Sequence, residues 1–143
     1  MVVNLDQELV ERVKGLKLVF KDRPQPELLI RIPNHNGNTS CDVETVTNEF
    51  TSLCPLNTSQ PDYATITVRY SPGDWLVELK SQKFYYVSYR QVPIFHESVP
   101  ALILKDLVGL LNPLYMEVVG QFSTRGGLST TVRAGYEDPS QTG

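Results

Sequence analysis

Between residues 62 and 70 the chain alternates strictly, with Ala64, Ile66, Val68 and Tyr70 on one side and Tyr63, Thr65, Thr67 and Arg69 on the other. That period of two predicts a strand with one buried face. Near the start, Leu9, Val10, Val13 and Leu16 recur at three- and four-residue spacing behind Asp6, and so predict a short amphipathic helix with Asp6 as its cap. Residues 28–32 read as a strand, entered from Pro24 and Pro26 and closed by Pro33 and the Asn36-Gly37 turn. A turn at Ser71-Pro72-Gly73-Asp74 leads into residues 75–79. Residues 81–90 then carry neither Gly nor Pro and suit a helix, which residues 91–93 break. A second helix is predicted from near His96, with Val99, Ile103, Leu107, Leu110 and Leu111 in one stripe up to Asn112-Pro113. The last unit is a hairpin, 115–122 and 128–134, around a turn carrying Arg125-Gly126-Gly127. The first third, rich in Pro, Asn and Thr, looks the least regular.

Strands, then a helix pair, then a strand pair predict an α+β fold: an antiparallel sheet with two helices on one face. A single small sheet leaves its edges exposed, and closing the sheets of several subunits into a barrel removes them, so a homo-oligomer is expected. At 143 residues a single domain over 1–143 is expected, with one core. A composition of 41% hydrophobic and 20% charged residues excludes disordered, collagen-like and coiled-coil classes. Thirteen Lys and Arg against sixteen Asp and Glu lack the basic excess that nucleic-acid backbones attract, so no nucleic-acid partner is expected. Two cysteines make no disulfide framework, the first residues do not form a leader pattern, and no apolar run approaches the ~20 residues that span a bilayer. The expectation is a soluble, cytoplasmic protein without a membrane partner.

Chemistry is sparser. No Gly-rich phosphate loop or nucleophile elbow occurs, and His35, Cys41, Cys54 and His96 lack metal-ligand spacing, so no metal is expected. Cys54 precedes Pro55, and it reads either as a small buried hydrophobe or as a thiol presented by a stiffened segment. Asp62, at the mouth of the alternating strand, is either an acid within reach of Cys54 or a strand-end turn residue. Lys80 and Lys83 share a helical face that can hold phosphate or simply be solvated. Arg125 before Gly126-Gly127 reads as an anion-binding turn or a plain hairpin loop. Glu97, beside His96 at a helix start, complements the positive end of the helix dipole.

Four blocks occur in order: Phe50-Thr51-Ser52-Leu53-Cys54-Pro55 with Gln60-Pro61-Asp62; Glu78-Leu79-Lys80-Ser81-Gln82-Lys83-Phe84-Tyr85; Ser88-Tyr89-Arg90 with Phe95-His96-Glu97; and Thr124-Arg125-Gly126-Gly127. Together they closely resemble the NADPH-dependent 7-cyano-7-deazaguanine reductases, the nitrile reductases of queuosine biosynthesis. The resemblance implies the tunnelling fold, with two strands, two helices and two strands per subunit, sheets closing into a multisubunit barrel, and active sites between subunits. It implies that Cys54 adds to the nitrile carbon to form a covalent thioimidate, that Asp62 supplies a proton to the nitrile nitrogen, and that His96 lines the same pocket. Two hydrides from two NADPH molecules would complete the reduction. Glu97 would hold the deazaguanine edge, with Glu78 and Ser81 also on the substrate side. The block 78–85 would bind NADPH, with Lys80, Lys83 and Arg125 as phosphate contacts. Four features depart from the family pattern: the interval from Cys54 to Asp62 is one residue longer than usual, Gln82 stands at a usually apolar position, Phe84 at one usually Leu or Tyr, and Val99 replaces a frequent Cys. Other readings on the same fold are a non-redox amidinotransferase acting on the same nitrile in tRNA, a GTP cyclohydrolase I-like enzyme, whose Cys-x-x-His metal pair is missing, and a non-catalytic binding protein.

Overall fold

The computed structural model describes residues 5–141. The Asp6 carboxylate accepts from the Glu8 backbone N–H and caps α1 (Gln7–Lys14), which meets the expected helix. Two antiparallel sheets follow. The smaller pairs β1 (Arg31–Pro33) with β4 (Trp75–Val77). The larger runs in the order β2-β3-β5-β6, from β2 (Val43–Cys54), β3 (Asn57–Ser71), β5 (Tyr115–Arg125) and β6 (Leu128–Glu137). Between β4 and β5 lie α2 (Leu79–Val87) and α3 (Ser98–Leu111), so the main sheet is built from two strands, two helices and two strands. The fold is α+β, as the hydrophobic pattern indicates.

Two elements differ from the sequence-based expectation. The strand expected over 28–32 starts at Arg31, because Pro26 opens a 3₁₀ turn over Pro26–Leu28 and Ser81 binds the Ile30 backbone instead. The larger difference is β2, which lies in the segment that looked least regular. Its residues Val43, Thr45 and Thr47 face the helices, paired with Tyr70, Val68 and Ile66 of β3. A bulge then sets Asn48 and Glu49 against Thr65 alone, after which Phe50 pairs with Ala64 and Ser52 with Asp62. Without that extra residue the alternation would turn Glu49 inward and Phe50 to solvent. The bulge thus puts Phe50, Ser52 and, by continued alternation, Cys54 on the helix-facing side.

α3 packs across β5 and β6, with Val99, Ile103, Leu107 and Leu111 fully buried against Ile66, Val68, Met116 and Val118. Asn112 takes a left-handed conformation (φ 47°) and Pro113 follows, which ends the helix as expected. Gly120 makes this contact close: a Cβ there would lie 3.0 Å from both the Phe122 ring and Pro100. α2 covers the β2 side, where Tyr86 and Tyr89 surround Phe50, with ring centroids 6.3 and 5.1 Å away.

The Tyr85 hydroxyl joins the Tyr89 hydroxyl (2.8 Å) and donates to the Asp106 carboxylate on α3 (2.6 Å). Burial holds the Asp106 carboxyl above the usual aspartate range, partly countered by the Tyr85 hydrogen bond. A carboxyl whose folded pKa is raised contributes stability below its unfolded value, about 4, and loses it as pH rises through the folded value. Asp106→Asn keeps an acceptor for Tyr85 and removes the titration. Urea midpoints of variant and wild type should coincide at low pH, and the variant should become slightly the more stable as pH rises past that window. The gain is small because the carboxylate is partly solvated.

Candidate active site

Two hairpins and one loop converge at the end of β2. Leu53, the residue before Cys54, donates its N–H to the Val92 carbonyl and accepts from the Ile94 N–H. The loop after α2 is thereby stitched to the outer edge of β2, and the chain reaches His96 two residues later. The His96 ring stacks on Phe122 of β5 (centroids 4.0 Å apart, planes 8° apart) and its Nε2 lies 3.2 Å from Asp62 Oδ2. From the end of β5, Arg125 brings Nη1 to 2.6 Å of Asp62 Oδ1 and donates through Nη2 to the Pro61 carbonyl (2.8 Å). The Oδ1 contact is an ion pair by distance, made at an angle that gives no hydrogen bond.

Asp62 is therefore not a turn residue at the mouth of a strand. It sits inside β3 on the buried face, 4% exposed, between an imidazole and a guanidinium. A carboxylate so deeply placed needs charged partners, and these two supply them. The interval between Cys54 and Asp62 is accommodated locally. Cys54 pairs with Asn57 and Leu53 with Pro61, so residues 58–60 bulge out of β3, and Ser52 and Asp62 stay in register. Ser52 is wholly buried, and its hydroxyl has no hydrogen-bond partner.

Glu97 stands at the cap of α3 with no side-chain cap hydrogen bond, so its carboxylate is not spent on the helix end. Glu78 differs: its two oxygens accept from the Lys80 (2.9 Å) and Ser81 (2.7 Å) N–H groups and cap α2. Ser81 is fully buried and accepts from the Ile30 N–H (2.9 Å), so in this chain both residues fix α2 against the segment before β1. Lys83 and Arg90 line a groove of about 370 Å³ between α2 and β2, together with Gln82, Tyr86 and Thr51. Lys80 lies outside that lining, with Nζ 5.7 Å from the Phe84 ring centre. Gln82, polar at a usually apolar position, donates to Thr45 Oγ1 and the Tyr86 hydroxyl, both at 3.0 Å. Arg125, the third expected phosphate contact, is engaged at Asp62 instead of at the groove.

Ser52, Phe122 and Arg90 were not singled out by sequence reasoning. Ser52 and Arg90 lie within the quoted blocks, but their duties depend on register and on helix facing. Phe122 carried only the signal of a core strand residue.

Residues 61–141, more than half of the chain, match the protein family described as QueF-like protein. The chain belongs to that family. Among its relatives, a protein of Thermomicrobium roseum is 51% identical over 115 residues, covering 80% of this chain and 88% of the relative. One of Chloroherpeton thalassium is 45% identical over 113 residues (79% and 97%), and one of Caldicellulosiruptor bescii is 50% identical over 111 residues (78% and 84%). All three are named NADPH-dependent 7-cyano-7-deazaguanine reductase. The crystal structure of an apo archaeosine synthase described as QueF-Like shares the fold at a TM-score of 0.61 and 23% identity, over 72% of this chain and 98% of its own.

Proposed function

We propose that this QueF-like chain reduces the nitrile of 7-cyano-7-deazaguanine to the aminomethyl group with NADPH, a step of queuosine biosynthesis. One observation carries the reading: a buried carboxylate, Asp62, held between His96 and Arg125 on the face where β2 ends at Cys54. The names of the relatives agree with it.

The chemistry needs a nucleophile and a proton carrier. The Cys54 thiol gives its proton to the Asp62 carboxylate, the S–C bond forms as one π bond of the nitrile breaks, and Asp62 returns the proton to the nitrile nitrogen. The product is a thioimidate with no leaving group. His96 and Arg125 flank the Asp62 carboxylate and fix its orientation for this exchange. Glu97, whose carboxylate is uncommitted, accepts from the N–H groups of the guanine-like edge. Glu78 and Ser81 support that side of the pocket through α2.

NADPH supplies the hydride when bound. The groove fits its anionic part, since Lys83 and Arg90 bring two cations to a cleft that also carries the buried, unpartnered Thr51 hydroxyl. Lys80 adds charge from the same helix. Lys83→Ala or Arg90→Ala should raise the NADPH KM about fivefold with kcat changed little, because a phosphate contact is shared by ground and transition states. An unchanged KM in both variants would place the cofactor elsewhere. Outer strands β2 and β6 leave edges that copies of the chain can pair, which supports a homo-oligomer with sites between subunits. No described helix is long and apolar enough to cross a membrane.

The decisive experiment follows NADPH absorbance with and without 7-cyano-7-deazaguanine. Oxidation that depends on the nitrile, with aminomethyl product, is expected. Nitrile-independent oxidation, or amidine formation from ammonia, would overturn the reading.

A further inference from the structure

The register of β2 and β3 places two polar atoms that make no hydrogen bond on directly paired residues. Ser52 Oγ has no hydrogen-bond partner although its residue is 0% exposed, and Asp62 Oδ1, on a residue 4% exposed, has only its ion pair to Arg125 Nη1. One is a donor and the other an acceptor. A buried hydroxyl left unpaired is costly, and native structures rarely keep one without a role. Directly paired residues on one face bring their Cβ atoms to about 4.5–5.5 Å, so rotation about the Ser52 χ1 torsion swings its hydroxyl toward the carboxylate.

We infer that Ser52 is a positioning residue for Asp62, its hydroxyl donating to Oδ1 in the working enzyme. Oδ1 then faces both Ser52 and Arg125, which leaves Oδ2, on the His96 side, as the oxygen that takes and returns the proton. Two titratable or charged groups lie against Asp62, His96 from the loop before α3 and Arg125 from the end of β5, and Cys54 follows one position further along the same face of β2. Ser52 is the neutral donor among them. It therefore favours the ionised carboxylate, as a hydrogen bond to the charged form does.

The kinetic part of this inference rests on the reductase reading; the titration part does not. Ser52→Ala removes one oxygen from a packed site and loses the desolvation cost of a buried hydroxyl together with its bond to Oδ1, so Tm should stay within about 2 °C of wild type. The kcat for nitrile reduction should fall about tenfold or more with both KM values within about twofold. The pH-profile limb that Asp62→Asn abolishes should move to higher pH. Ser52→Thr, which keeps the hydroxyl, should restore that limb. Independently of nitrile and NADPH, the Asp62 carboxyl carbon can be titrated by NMR in protein labelled at aspartate carboxyls and assigned with Asp62→Asn; its midpoint should rise in Ser52→Ala. An unmoved midpoint overturns the inference whatever the substrate proves to be. A loss of activity matched by a lowered Tm, or kcat within twofold of wild type, also overturns it. A raised midpoint in a protein that does not reduce the nitrile upholds the Ser52–Asp62 bond and sinks the reductase reading alone.

Discussion

Cys54→Ala should abolish nitrile-dependent NADPH oxidation, by at least about 10⁴-fold in kcat, because on the proposed mechanism no other group replaces the covalent nucleophile. The same variant gives a second, sharper readout. Mixing wild-type protein with 7-cyano-7-deazaguanine and no NADPH should yield a covalent species heavier by the whole ligand, since addition to a nitrile expels nothing. Intact-mass measurement on Cys54→Ala should show none. Cys41, the other cysteine, is partly exposed and lies before β2, away from Asp62 in the ladder. An adduct that persists in Cys54→Ala and maps to Cys41 would overturn the assignment of the nucleophile. The expectation rests on placement more than on residue type. The bulge at Asn48 and Glu49 shifts the phase of β2, so that Cys54 lies on the same face as Ser52, the partner of Asp62.

The second large effect is at Asp62. Asp62→Asn keeps the shape of the side chain and loses the ability to carry a proton, so reduction should fall about 10²- to 10⁴-fold. Adduct formation should slow with it, because on the proposed mechanism the same carboxylate accepts the thiol proton. The substitution also leaves Arg125, 38% exposed, beside a neutral amide instead of an anion. Its guanidinium keeps the Pro61 carbonyl and part of its hydration, so the fold should survive. A wild-type kcat in Asp62→Asn at neutral pH would shift the proton carrier to His96, the other titratable group at that oxygen.

How much of this was legible in the sequence differs from element to element. The alternation of Ala64, Ile66, Val68 and Tyr70 and the stripe of α3 are strong periodic signals, and both elements lie where those signals put them. β2 was hidden for two physical reasons. Its inward positions before the bulge are Val43, Thr45 and Thr47, two of them polar, and the bulge then shifts the phase, so no single period spans the strand. Missing β2 also misplaced Asp62, whose position inside a strand is plain only once Ser52 is known to pair with it. The chemistry of the site was readable as residue types in four blocks. The meeting of Arg125 with Asp62 was not, because 63 residues separate them and only the β3-β5 ladder brings them together. Gln82 shows the converse case: an unusual polar residue whose cost is removed by partners, Thr45 and Tyr86, that no local pattern foretells.

The bulge has one more effect, on the chain before it has any partner. β2 is an outer strand of twelve residues, and a long, flat, unpaired strand is a template on which newly made polypeptides stick to one another. Asn48 and Glu49 interrupt it near the middle, and residues 92–94 already cover it at Leu53. What remains open is two short runs out of phase with each other, flanked by the carboxylates of Glu44 and Glu49. A stray strand matching one run is out of step with the other. The irregularity that sets Phe50 and Ser52 on the helix-facing side thus also lowers the hazard of aggregation during synthesis.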